Sequence, residues 1–226
     1  MSSLPEVRIA AVVLAAGRSR RMGQPKLPLP WGDTTVIGQV VRTLAFAGLD
    51  PIVVITGGAH QQVEAALKEY RVRTIYNPRY AEDQMTLSLQ IGLSNLPAEI
   101  DAALVALGDQ PQIQLDIVKR VIQAYRESQS PLVFPSFQMR RGHPWMIARP
   151  LWDLLLKITY SELAPSGTLS EQTNSPSSLR EILLPFTSMI HFVDVPNDSI
   201  LRDLDTPVDY DNERPGEQPA PDREKI

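Results

Sequence analysis

The chain reads as an α/β protein of three layers, a mostly parallel sheet with helices on both faces. Two observations predict it. Short runs of β-branched and small apolar residues alternate, through about residue 134, with segments whose apolar positions recur at helical spacing. Two loops of unusual composition, 17–26 and 108–111, each follow such a run, and in an open parallel sheet ligands sit beyond the carboxyl ends of the strands. With 226 residues and 43% apolar content the chain can bury a large core. We expect one domain over residues 1–210 and a disordered polar tail over 211–226, where Pro, Glu, Asp, Arg and Gln leave almost nothing apolar to pack.

The elements follow in order. Ile9 to Ala16 is a buried strand that stops at Gly17. Thr34 or Thr35 caps a helix to about Ala47, with Val36, Ile37, Val40, Val41, Leu44 and Ala45 recurring at helical spacing and Gly48 as its stop. Pro51 to Thr56 is a strand, Gly57-Gly58 a turn, and Ala59 to Tyr70 a helix with Val63, Ala66 and Leu67 inward. Val72 to Tyr76 is a third strand, residues 79–85 a loop, Thr86 to Leu96 a helix and Ala102 to Leu107 a fourth strand. A helix from Gln114 to Ser128 and a strand from Leu132 to Phe134 continue the alternation. Further on, Trp145 to Ile147 and Ile190 to Val195 read as strands and Pro150 to Ile158 as a helix. Residues 164–178, rich in Ser, Thr, Pro and Gly, read as an irregular loop and at most a mobile flap.

Composition excludes several classes of function. A net charge of −4 argues against a general nucleic-acid or membrane-surface binder, so the basic loop at 17–26 is a local feature on an acidic protein. Cysteine is absent, which removes disulfides, thiolate metal sites and a cysteine nucleophile together. His60, His143 and His191 are too scattered for a zinc site; His60 reads as a helix-start residue and His191 as structural. The N-terminus lacks an apolar signal core and no window reaches the roughly 18 apolar residues of a membrane span, so a cytoplasmic location is expected.

Within the first loop Arg18, Arg20, Arg21 and Lys26 fall in nine residues, bounded by Gly17 and broken by Gly23. Turn amides and four cations suit a polyphosphate and not an apolar ligand, although a solvated basic loop has the same composition. The spacing is neither that of a P-loop nor that of a dinucleotide fingerprint. Asp109, in Gly108-Asp109-Gln110-Pro111, reads on its own as a helix cap after a strand. Asp205 reads as a turn or cap aspartate before Thr206-Pro207, and Arg140 to Pro144 form a second cationic stretch.

The segment LAAGRSRRMGQPKLPLPW together with GDQP, RGHP at 141–144 and DLDTPVDY at 203–210 resembles the nucleotidyltransferases of the molybdenum-cofactor group, within the GT-A-like superfamily. The resemblance spans about residues 10–210 and implies a Rossmann-like fold and a Mg-dependent nucleotidyltransferase, in which CMP passes from CTP to a molybdopterin-type phosphate acceptor with release of pyrophosphate. It implies that Leu14, Ala15, Ala16, Gly17 and Arg18 hold the nucleotide and that Lys26 contacts phosphate. Arg18, Lys26 and Asp109 are then the catalytic set. Asp109 also touches the nucleotide and binds Mg2+ with Asp205, which stands 96 residues later; Asp203 replaces Asp205 if the register differs. Thr86 and Ser88 stand where relatives meet base or ribose. Arg141, Gly142, His143 and Pro144 face the acceptor. Ala16 favours CTP, since guanylyl relatives have glycine there. The chain departs from its relatives at residues 166–184, which replace a Gly- and Asp-rich segment and bear on the acceptor. A guanylyltransferase for the same cofactor, a cytidylyl- or uridylyltransferase for a sugar or polyol phosphate, and a non-catalytic nucleotide-binding regulator stay open. The implied partners are CTP or GTP, the phosphate acceptor, and a molybdoenzyme or its chaperone that receives the product; nucleic acid and membrane are not expected.

Overall fold

The computed structural model describes residues 7–82, 85–157 and 179–216. In chain order the strands are β1 (Ile9–Ala15), β2 (Pro30–Trp31), β3 (Thr34–Thr35), β4 (Ile52–Thr56), β5 (Arg73–Tyr76), β6 (Ala102–Leu107), β7 (Leu132–Phe137), β8 (Arg140–Arg141), β9 (Trp145–Ala148) and β10 (Ile190–Asp194). The helices are α1 (Val36–Phe46), α2 (His60–Ala66), α3 (Met85–Ser94), α4 (Leu115–Ser128), α5 (Arg149–Lys157), α6 (Leu179–Leu183) and α7 (Pro207–Glu213). The main sheet runs β5-β4-β1-β6-β9-β7-β10, with β8 folded back on β7. All neighbours are parallel except β9, which is antiparallel to β6 and to β7, and the β7–β8 hairpin.

The alternation of β1 builds both cores. Ile9, Ala11, Val13 and Ala15 pack under α1, α2 and α4, with Val36, Ile37, Val63, Val118 and Val121 around them. Ala10 and Val12 face the other way, toward Leu89 and Leu93 of α3 and Leu151, Trp152 and Leu155 of α5. This is the three-layer arrangement the sequence predicts, and each fully buried Val, Leu or Ile contributes about 1.5–3 kcal/mol. Small residues bring the layers close: a Cβ on Gly92 would lie 2.4 Å from Val12 Cγ1.

Most elements fall where periodicity places them; the differences have local causes. The helix expected from Ala59 to Tyr70 ends at Ala66, and the Tyr70 hydroxyl instead meets Thr34 Oγ1 at 2.5 Å, tying the turn to β3. The strand at Leu132 extends to Phe137 because β8 and β10 both bond to its far end. The structure differs at the start of the tail expected from Asp211. Residues 211–213 complete α7, which a Thr206–Asp209 capping box and Pro207 at its first position nucleate, and Glu213 closes on Arg202 Nη1 at 2.6 Å. The loop expected at 164–178 and the tail beyond residue 216 lie outside the described residues.

Candidate active site

The C-terminal ends of β1 and β6 lie side by side, so the two special loops share one edge, and Gly108 N donates to Leu14 O at 2.9 Å to bind them together. After β1 the chain turns through Ser19 in the left-handed region (φ 49°), makes a 3-10 turn at Arg20–Met22 that buries Met22, and reverses at Gly23 (φ 70°). Ser19 Oγ accepts from Lys26 N at 3.2 Å and closes the loop on itself. A Cβ on Gly17 would meet nothing within 4 Å, so this backbone faces open space that a ligand can enter.

That space is a cavity of about 250 Å3 lined by Gly17, Arg18, Ser19, Arg20, Arg21, Lys26, Asp109 and Asp205. Four residues expected at the site, Gly17, Arg18, Lys26 and Asp109, therefore meet Asp205 in one place. The Lys26 ammonium lies 2.6 Å from Asp109 Oδ2 and 3.1 Å from Asp205 Oδ1. Burial works against its charge, yet the two carboxylates outweigh burial and hold the ammonium above its ordinary value. Asp205 also receives Arg21 Nη2 at 2.7 Å. It is fixed from behind by α7, whose capping Asp209 accepts from the backbone N–H of Asp205 at 3.2 Å and of Thr206 at 2.8 Å. Beside this pair, the Asp203 carboxyl is pushed up, first by burial and then by the charge of Asp109. Arg21, expected as a cation of this loop, and Asp203, expected as the alternative to Asp205, thus join the cluster, and Ser19 is the neighbour that no motif signalled.

The donor set fits a hard divalent cation. Asp109 and Asp205 already converge on a single point, now filled by the Lys26 ammonium, and supply carboxylate oxygens of the kind Mg2+ takes. No group of three His, Cys, Asp or Glu side chains suited to a metal occurs among the described residues, so such an ion needs phosphate oxygens and water to complete its shell.

Other expected residues stand apart from this cavity. Leu14 and Ala15 end β1, and Ala16 packs against Gly57, whose added Cβ would lie 2.4 Å from Ala16 O. Thr86 and Ser88 are buried in α3, and the Ser88 hydroxyl accepts from Asn77 Nδ2 at 3.1 Å. That hydroxyl holds the end of β5 in place. Arg141 lies exposed in β8, its guanidinium 5.4 Å from the centre of the Phe134 ring. Gly142 is pressed on Ile200, where an added Cβ would meet the carbonyl oxygen at 2.1 Å, and His143 N donates to that same carbonyl at 3.1 Å. Burial pushes His143 down to about 4, so at neutral pH it is uncharged. The cationic character expected of RGHP thus belongs to its arginine and not to its histidine. Pro144 packs beside Gln110, which places the segment at the same sheet edge as Asp109.

Comparison with known proteins settles the family. The family model described as MobA-like NTP transferase domain matches residues 11–171, most of the chain and the whole first loop. The chain belongs to this family. Among curated relatives, the molybdenum cofactor cytidylyltransferase of Escherichia coli (strain K12) is 25% identical over 203 residues, 89% of this chain and 93% of that protein. A nucleotidyl transferase from Methanothermobacter thermautotrophicus superposes with a TM-score of 0.69 at 26% identity, covering 92% of this chain and 96% of its own. The Rv0371c protein of Mycobacterium tuberculosis H37Rv gives 0.71 at 25% identity over 91% and 97%. The MobA-like chain described here is thus a nucleotidyltransferase of the group that includes cytidylyltransferases, on a Rossmann-like sheet.

Proposed function

We propose that this MobA-like chain transfers CMP from CTP to a molybdopterin-type phosphate acceptor, with Mg2+ and with release of pyrophosphate, in the cytoplasm. One observation carries the reading: the buried Lys26 ammonium lies between Asp109 and Asp205, at the mouth of a loop whose glycine backbone is open and whose side chains are cationic. An oxygen of the acceptor monoester bonds to the α-phosphorus while the bond from that phosphorus to the bridging oxygen breaks, and pyrophosphate leaves with the electron pair. The acceptor oxygen is already an anion, so no protein nucleophile or general base is required; orientation and charge neutralisation supply the catalysis. Lys26, together with Arg18, Arg20 and Arg21, offsets charge on the triphosphate, and the Gly17 amide edge allows its close approach. Asp109 and Asp205 would hold the Mg2+, which when bound polarises phosphate oxygens and orients the leaving group.

CTP is favoured by Ala16 and by the name of the near full-length Escherichia coli relative. A 2-C-methyl-D-erythritol 4-phosphate cytidylyltransferase of Streptomyces avermitilis is 30% identical, but over only 58% of this chain and 55% of that protein, which makes polyol phosphates the second arm of the test. No helix among the described residues is long and apolar enough to cross a membrane. Pyrophosphate release measured for CTP, GTP, ATP and UTP against molybdopterin-type and sugar or polyol phosphates tests the reading. Turnover is expected with CTP and the pterin phosphate; turnover with sugar or polyol phosphates alone overturns the acceptor.

A further inference from the structure

We propose that Gln110 is a positioning residue that sets the separation of Asp109 and Asp205; this rests on the reading that those two carboxylates hold a divalent cation. The two aspartates come from distant parts of the chain, and no sheet pairing joins their segments. Their relative placement depends on bonds between the turn after β6 and the strand-like stretch 202–205. Three such bonds exist. Leu204 N donates to Asp109 O at 3.1 Å, Gln112 Nε2 donates to Arg202 O, and Gln110 Nε2 donates to Asp203 Oδ1 at 2.7 Å.

Of these, the Gln110 bond is the one made by a side chain to a side chain inside the carboxylate cluster. Gln110 is only 2% exposed, and its Oε1 is buried with no hydrogen-bond partner. A glutamine held this way gives up one end to present the other to Asp203, a cost of the kind buried unsatisfied groups carry. The residue type is constrained from both sides. A glutamate at 110 would set a fourth carboxylate against Asp203, with Asp109 and Asp205 close by, and a leucine would leave the Asp203 carboxylate without its donor. Either change frees Asp203, and with it the two residues that follow, to move relative to Asp109. Outer contacts that fix metal ligands in place typically account for about 10–100-fold in metal affinity, and the Gln110 bond acts on Asp205 through Asp203, two residues before it.

The experiment is Mn2+ titration by electron paramagnetic resonance on the full chain, with a non-hydrolysable CTP analogue present, and thermal unfolding alongside. Gln110→Leu is expected to weaken Mn2+ binding by about 10-fold or more while the chain still unfolds cooperatively. Gln110→Glu, isosteric with the native residue, reads the same quantity should the leucine variant fail to fold. If Gln110 acts through Asp203, the Gln110→Leu/Asp203→Leu double variant binds Mn2+ about as weakly as the weaker single variant, not at the product of the two losses. Native Mn2+ affinity in the Gln110 variants, or fully additive losses, overturns the positioning role. A wild-type chain that binds no Mn2+ overturns the metal reading itself, so the two failures are distinguishable.

Discussion

Lys26 is charged where burial alone would disfavour charge, because Asp109 and Asp205 stand within ion-pair distance of its ammonium. Removing one carboxylate therefore affects both the proposed cation site and the lysine proposed to neutralise the triphosphate. Asp109→Ala is expected to abolish pyrophosphate release, a drop of at least about 10^3-fold in kcat by analogy with loss of a charge-stabilising group, while circular dichroism stays native; undiminished turnover would remove Asp109 from the mechanism. His143 makes a second residue-level prediction. Its neutral form is preferred in the folded chain, with a value of about 4, whereas the unfolded chain takes up the proton near 6.5. Stability is then fully present above about pH 6.5 and falls as the pH drops from there to about 4, by about 3 kcal/mol in all. In urea unfolding at pH 7 and pH 4, His143→Gln should lose about that much less than the wild type between the two; equal losses would contradict the burial of a neutral histidine.

At the scale of elements, the site is a meeting of loop ends whose distances the sheet register sets. Gly57, after β4, supports the proposed nucleotide loop from the side: an added Cβ would meet Ala16 O at 2.4 Å, Tyr80 Cβ at 2.6 Å and Ala16 Cα at 2.8 Å. Two of those atoms are backbone, so Gly57→Ala must move the loop that begins at Gly17. We expect a stability loss of about 1–3 kcal/mol and a rise in the KM for the nucleotide greater than that for the acceptor. A KM for the acceptor that rises as much would place the loop elsewhere in the reaction. Periodicity made the strands and helices of this framework legible, since β1 and β6 are continuous apolar runs buried on both faces while α1 and α4 each bury one stripe. It could not show that β9 runs against its neighbours or that Arg140 and Arg141 form a strand, because both follow from pairing with distant segments. The same limit applies to side chains. Gly17, Lys26 and Asp109 stood out by composition at strand ends, but the contact of Ser88 with Asn77 and that of Gln110 with Asp203 depend on packing that no local pattern carries.

For the molecule as a whole, one acidic chain carries a local cluster of positive charge on a loop that meets two carboxylates at the carboxyl edge of a mostly parallel sheet. That arrangement suits a small, highly anionic nucleotide and a second anionic substrate, brought together by neutralisation and not by a protein nucleophile. The reaction proposed for the chain is transfer of the α-phosphoryl group with the nucleoside attached. It is tested most directly by incubating the chain with Mg2+, a molybdopterin-type phosphate acceptor and CTP labelled at the α-phosphate, then separating the products. The label is expected to move to the acceptor, and the pyrophosphate released to be unlabelled. Label retained in CTP or found only in free CMP, with the acceptor unmodified, would contradict that transfer.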